Sequence, residues 1–558
     1  MLRELCLIAI APLASASIWQ HAADPQRASS YAGATSTFAF PPQGMADTFP
    51  DPAFPDASAV GFPGPTPTGD EAFAIATAPA LAGPIDISPV VAPDTADHRG
   101  GSFAVAQNWG NLSPMVSLAP GTFGLPRASP LVPAGCALQQ VHILHRHGAR
   151  YPSANGAAFA PAALAAKLHS AAAGAGLEAS GPLEFLNTWV YKLGGEILTP
   201  FGRQEMYSLG VGTRMRYGDL LKGFSDLPVW RTTSQERMVD SALQFAAGFF
   251  GIQEYENSYH QLVEIEATGF NSTLAAYDVC PNANNAIGLL GYKMANKWGA
   301  IYTAPIIKRL SQYIQGVNFT ANDIVTMQQA CAYESVALGY SEFCDIFTKE
   351  EWISYQYFAD LGFWYTYGPG NPAVAAQGVG YVQEFISRLA QTRITAFDTS
   401  VNGTIVSSNV TFPLDQPIFV DATHDTIISA VVVALNLTSL SSSGPLPTDH
   451  IPKNRQWITS NIVPFASNLV AQVLSCPAST TPTHVRWILN DAVVPLTGIA
   501  GCKQDPNGLC ELEAYINGTQ NRIAEIDFQY DCFANYTIPD PDTIVDGRFP
   551  PSLRNGTA

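Results

Sequence analysis

Between residues 101 and 558 the apolar positions fall into two alternating patterns, short runs and helical stripes. Gln139 to Leu144 (QQVHIL) predicts a strand that feeds a Gly-containing loop. Residues 203–222 (RQEMYSLGVGTRMRYGDLLK) predict an amphipathic helix. Val229 to Thr232 is a short strand, and Glu236 to Phe250 (ERMVDSALQFAAGFF) a buried helix. Residues 251–395 read mostly as helix, with long aromatic-rich segments. Pro417 to Val420 (PIFV) is an apolar strand running into Ala422-Thr423-His424-Asp425, and an apolar helix, Thr426 to Leu435, follows. Strand character returns from His484 to Pro495. Strand, loop and helix repeated with long crossovers predict an α/β sheet domain over 101–250 and 396–558. The stretch 251–395 is then an inserted, mainly helical domain.

Residues 18–100 break this texture. They are rich in Pro, Ala and Gly, carry many acids and no cysteine, and hold neither period. Such a stretch cannot bury enough apolar surface to offset its ordering entropy, so a disordered linker or pro-region is expected. Ahead of it, Arg3, the apolar run Leu5 to Leu13 and the small residues Ala14-Ser15-Ala16 read as a secretory signal peptide over 1–17. No uninterrupted apolar run of about 18 residues occurs after it, so no internal span is expected.

Charge narrows the function classes. Lys plus Arg is 28 and Asp plus Glu 46, a formal charge of −18. This argues against a nucleic-acid partner, which needs a basic face, and against adhesion to anionic membranes. An anionic substrate must be held by a local basic cluster working against the global field. Export fits the cysteines. Cys6 would leave with the signal, and the other eight form an even set with no C-x-x-C pair, as disulfides in an oxidising compartment would. Nine N-x-S/T sequons, at Asn111, Asn271, Asn318, Asn402, Asn409, Asn436, Asn517, Asn535 and Asn555, add glycosylation candidates.

The basic cluster exists. In Arg146-His147-Gly148-Ala149-Arg150-Tyr151-Pro152 two guanidiniums flank one imidazole at the carboxyl end of a predicted strand, the edge where ligands sit in open α/β sheets. Guanidinium forks suit phosphate oxygens, and Gly148 lets backbone approach a ligand. Like charge keeps an imidazole there neutral, which suits attack on phosphorus by a ring nitrogen. A surface basic turn with a structural histidine explains the same residues. So does a metal site on His142, His145 and His147, although Arg146 and Arg150 would repel the cation. His424-Asp425, again between strand and helix, offers a donor to phosphate oxygen and an acid for a leaving oxygen. Arg231, in WRTTSQERMVDSA, offers another guanidinium or a structural ion pair, and Arg237 lies six residues on.

Together the R-H-G-x-R-x-P motif and the distal H-D dipeptide resemble the histidine acid phosphatase superfamily, and its secreted fungal phytases in particular. The resemblance covers residues 101–540 and includes AQNWGNLSP at 106–114, FNSTLAAYDVC at 270–280 and VRWILNDAVVPL at 485–496. It implies a mixed-sheet, phosphoglycerate-mutase-like α/β domain beside a helical domain, with the site between them. It also implies a metal-independent acid phosphomonoesterase without cofactor. His147 would be the nucleophile, Asp425 the proton donor, and Arg146, Arg150, Arg231 and His424 the phosphate ligands. The substrate would be a small phosphate monoester, phytate foremost, with a broad-specificity acid phosphatase as the alternative. A metal-dependent hydrolase and an inactive secreted glycoprotein are the other classes open.

The chain also departs from fungal phytases. The second motif reads Thr423-His424-Asp425-Thr426, nearer the animal acid phosphatases than S-H-D-N. Ser153 to Ala166 carries no cation where phytases often have one. Short loops predict the disulfides Cys331–Cys344 and Cys502–Cys510. The resemblance implies Cys136–Cys476 and Cys280–Cys532.

Overall fold

The computed structural model describes residues 103–153, 161–174, 176–477, 481–540 and 542–554. The expected signal (1–17) and linker (18–100), Cys6 and Asn555 lie outside the described residues. In chain order the strands are β1 (Ala137–Arg146), β2 (Glu178–Ala179), β3 (Val229–Thr233), β4 (His260–Glu264), β5 (Ile314–Gln315), β6 (Ile418–Thr423), β7 (Asn468–Ser475), β8 (His484–Leu489), β9 (Ala492–Val494) and β10 (Cys510–Glu511). The helices are α1 (Pro161–Ala173), α2 (Pro200–Tyr217), α3 (Glu236–Phe250), α4 (Leu290–Leu310), α5 (Ala321–Leu338), α6 (Lys349–Thr366), α7 (Val374–Ala390), α8 (Gly403–Val406), α9 (Asp425–Ala434), α10 (Thr459–Ile462), α11 (Leu512–Glu525) and α12 (Phe528–Phe533).

The main sheet runs β10-β8-β7-β1-β6-β3-β4, with β9 on β8. β1, β6, β3 and β4 are parallel, whereas β7, β8 and β10 are antiparallel to their neighbours. The parallel strands are covered on both faces, which is why β6 is buried at every position and opens on the unbroken apolar run Ile418-Phe419-Val420 rather than an alternation. Val141 and Ile143 of β1 share one cluster with Met206 and Leu209 of α2 and Phe245 of α3. Leu144 points the other way, into a cluster shared with Val431 of α9 and Val379 of α7. The β8–β9 hairpin turns on Asn490 and Asp491, both at positive φ (47° and 69°), the backbone that a tight two-residue turn demands and that Asn and Asp tolerate.

The same cluster that covers Leu144 continues without a break into α4, α5 and α6. That helical layer is assembled differently from the expected insertion over 251–395. β4, within that range, is the edge strand of the main sheet, and α7 packs on α9 and α11 beside the sheet. Conversely α1 and β2, from the range assigned to the sheet domain, pack on α5 and pair with β5. Composition misled because aromatic helices serve both layers. α6 starts at a capping box, Thr348 with Glu351, and Glu351 also meets Arg309 of α4 at 2.6 Å. All four expected disulfides are present: Cys136–Cys476, Cys280–Cys532, Cys331–Cys344 and Cys502–Cys510. None of the described helices is long and apolar enough to cross a membrane.

Candidate active site

Both motifs sit just beyond the carboxyl ends of adjacent parallel strands, β1 and β6. The loop after β1 is pressed onto the start of α2. A Cβ on Gly148 would lie 2.2 Å from the Gly202 carbonyl oxygen, and one on Gly202 would lie 1.9 Å from that of Ala149. Both glycines are therefore required by the close approach. Thr199 caps α2 by accepting from the Gly202 N–H, and Pro200 follows at the first helical position. Ala149 N–H donates to the Glu205 carboxyl at 2.8 Å. The backbone that follows His147 is thus tied to one helix.

His147 is 1% exposed, and its Nδ1 lies 2.8 Å from its neighbour Gly148's carbonyl oxygen. A carbonyl only accepts, so Nδ1 carries the proton and the Nε2 lone pair is left for the cavity. The His147 pKa is held well below the imidazole range by burial first, then by the charges of Arg146, Arg237, Arg150 and His424. Arg146 is fully buried. Its guanidinium reaches Asp425 at 2.7 Å and the Val463 carbonyl at 2.8 Å, and stacks over Phe465. Arg150 donates to the Tyr151 carbonyl, and Arg237 to Glu196 at 2.8 Å. The Nε of Arg146, Arg150 and Arg237 are all buried and have no protein acceptor. Guanidiniums that line one cavity with the imidazole, those of Arg150 and Arg237, are suited to phosphate oxygens.

His424 Nε2 lies 2.9 Å from Glu266. Glu266 also accepts from Gln235 and, at 2.5 Å, from the Tyr277 hydroxyl; burial would raise its carboxyl, but the His424 charge and hydrogen bonds from His424, Thr233 and Tyr277 hold it down at about 2. The Glu266 carboxyl behind His424 orients its ring. Asp425 accepts from Asn111 at 3.0 Å and from the Thr426 N–H at 2.9 Å. Burial would raise its pKa, but Arg146 and Asn111 hold it below the usual carboxylate range. An arriving phosphate dianion offsets that guanidinium field and so favours the protonated acid. His147, Arg150, Arg237, His424, Asp425 and Asn111 line a common cavity of about 450 Å³.

The structure removes one expected ligand. Arg231 lies mid-strand in β3, 1% exposed, and is spent on Asp421 at 2.6 Å, Glu384 at 2.7 Å and Glu264 at 3.1 Å. Arg237, in the first turn of α3, lines the cavity instead. The signal for this was available: ligands gather beyond strand ends, and Arg237 and Glu266 follow the ends of β3 and β4, whereas Arg231 precedes one. Asn111 also needs correction as a glycosylation candidate. Its Nδ2 donates to Asp425, and a glycan there would replace that donor and fill the cavity. Asn436 likewise commits its Nδ2 to the Gly498 carbonyl at 2.6 Å, Asn402 to that of Asn271 at 3.0 Å and Asn271 to that of Val401 at 3.3 Å, while Asn318, Asn409, Asn517 and Asn535 are exposed.

The three histidines of the metal reading diverge. His142 stacks on Phe419 on one face of β1, with Nε2 at Gln140. His145 stacks on Phe245 on the other face, with Nδ1 at the Arg146 carbonyl. Among the described residues no group of three or more His, Cys, Asp or Glu could hold a metal ion.

A mixed α/β sheet that places a buried imidazole, guanidinium forks and a carboxylic acid at adjacent strand ends defines a phosphoryl-transfer hydrolase. The chain belongs to the histidine phosphatase superfamily (branch 2), whose family model matches residues 137–490. It is 31% identical over 432 residues to Phytase A of Aspergillus fumigatus, covering 75% of this chain and 88% of that protein. It is also 31% identical over 410 residues to an acid phosphatase of Schizosaccharomyces pombe, covering 71% of this chain and 85% of that one. The crystal structure of the phytase from D. castellii matches in fold with a TM-score of 0.64, at 23% identity, over 84% of this chain and 97% of that chain.

Proposed function

We propose that the protein is a secreted, glycosylated, metal-independent acid phosphomonoesterase that works through a phosphohistidine. The observation that carries this is the His147 imidazole, with Nδ1 at the Gly148 carbonyl, in one cavity with Arg150, Arg237, His424 and Asp425. Nε2 attacks phosphorus and the P–O bond to the alcohol breaks. The electron pair leaves on that oxygen, and the proton comes from Asp425. Arg146, Arg150, Arg237 and His424 meet the charge on the remaining phosphoryl oxygens. A water then attacks the phosphoryl group, its proton passes to the Asp425 carboxylate, and the P–N bond breaks to return His147.

Two substrate readings remain within this chemistry. The names of the Aspergillus relatives favour phytate; the name of the fission-yeast relative favours phosphate monoesters at large. Quenching turnover of a radiolabelled phosphate ester in alkali, where a P–N bond survives, should leave label on the peptide carrying His147. Label on a serine, or none with turnover intact, would overturn the reading.

A further inference from the structure

Away from His147 the cavity changes chemistry. Helix α6 presents Tyr355, Phe358, Ala359, Gly362, Phe363 and Thr366 to it, spaced as a single helical stripe. Tyr292 of α4 and Tyr367 add further rings, and Tyr277 one beside His424. Burial raises the Tyr355, Tyr277 and Tyr367 phenols, so this wall is uncharged throughout the acid range. Among the described residues the Lys or Arg side chains lining the cavity are Arg150 and Arg237, and both already act on His147. Lys293 and Lys297 of α4 are exposed outside it.

We infer that this cavity selects phosphate monoesters whose alcohol carries a flat, uncharged aromatic group, and selects against alcohols bearing further phosphates. The inference rests on His147 as the phosphate-attacking residue. One phosphate satisfies the guanidinium cluster. A polyphosphorylated ring would press its other phosphates against phenyl faces and neutral amides, losing hydration without gaining a counter-charge. The formal charge of −18 adds repulsion at long range. An aromatic alcohol instead meets rings with which it can stack or make edge contacts.

The test must separate binding from leaving-group basicity, so the two simple esters should release similar primary alcohols. With the full secreted chain, kcat/KM is measured for 2-phenylethyl phosphate, ethyl phosphate and phytate at one mildly acidic pH. Phenylethyl phosphate should exceed ethyl phosphate by about 10-fold or more, the worth of one or two aromatic contacts, and should exceed phytate as well. Phe358→Ala should shrink the first ratio. Asn284→Lys, at an exposed lining position, should raise phytate turnover relative to phenylethyl phosphate and keeps the test open if the Phe358 variant fails to fold. Equal values for the two alkyl esters, or phytate ahead of phenylethyl phosphate, would overturn this inference and leave the phosphohistidine reading standing. No turnover of any ester and no label at His147 would overturn both.

Discussion

Arg231 and Arg237 stand six residues apart and end in opposite surroundings. Arg231 and Arg388 face three carboxylates, Asp421, Glu264 and Glu384, within one buried network. The acids are in excess there, and burial together with the Glu384 and Asp421 charges raises the Glu264 pKa despite Arg231. Among the described residues Arg146 pairs with Asp425 and Arg237 with Glu196, and the Glu266 charge also acts on Arg237. Cations are in excess there, and together with burial they depress His147. One arginine group is internally compensated and holds the sheet to α7. The other has guanidinium charge left over, which an anionic ligand can complete. The nearest carboxylates, not the arginine itself, decide between scaffold and site.

The largest effect should come from removing the group that the uncompensated cluster serves. His147→Ala should cost about 10⁴-fold or more in turnover on every ester, since the attacking atom is gone. Single-turnover and steady-state rates with nitrophenyl phosphate check this, and a loss under about 100-fold would assign the nucleophile elsewhere. Asp425→Asn should be selective. An alkyl alkoxide needs its proton as the bond breaks, so alkyl esters should lose about 10²–10⁴-fold. Nitrophenyl phosphate should lose far less, because nitrophenolate leaves unaided. Equal losses on both would make Asp425 a positioning group for Arg146.

The arginine pair itself should give crossed results. Arg237→Ala removes a donor from the uncompensated cluster and should cost about 10²–10³-fold in kcat/KM while the fold survives. Arg231→Met strips the partner from Asp421, Glu264 and Glu384 and should cost about 3–5 kcal/mol of stability. Thermal unfolding and kinetics on both variants decide the matter. A stable, inactive Arg231→Met protein would erase the distinction between the clusters.

Much of this was legible in the residues. α3 matches the predicted Glu236 to Phe250, and β1, β3, β6 and α9 lie within a few residues of their predicted bounds. Strong apolar periods and clear turns mark those elements. β7 was not anticipated. NLVAQVLS is an interior strand buried at all eight positions, so no alternation announces it. His147, His424 and Asp425 were legible because motif and strand end coincide. Glu266 was not, because its role depends on β4 being the sheet's edge strand, a pairing visible only in three dimensions. Asn111 was hidden by its own sequon, which points to a surface position when read alone.

The smallest effect at the site concerns Glu205, the carboxyl that accepts from Ala149 beneath His147. Burial pushes its pKa up to about 8, against the opposing hydrogen bond from Ala149 and the Arg146 charge. A raised carboxyl favours the folded state while the unfolded chain still holds its proton. That stability is complete below the ordinary Glu value and is lost as pH climbs to about 8. Asp531, raised to about 7 mainly by burial, acts in the same direction. Buried His142, His145 and His147, all lowered chiefly by burial, act oppositely and withdraw stability as pH falls below the ordinary imidazole value. Glu266, held at about 2, withdraws more as pH falls below the ordinary carboxylate range. Thermal stability should therefore plateau between about pH 4.5 and 6.5 and fall on both sides. Glu205→Gln keeps an acceptor for Ala149 but cannot ionise, so activity in mild acid should stay within a few-fold of the parent. Its midpoint relative to the parent should rise by a few degrees between about pH 5 and pH 8, because only the parent bears the cost of a charge at that position. A parallel pH dependence in the two proteins would mean that Glu205 is ionised in the fold, and that the His147 loop rests on a carboxylate after all.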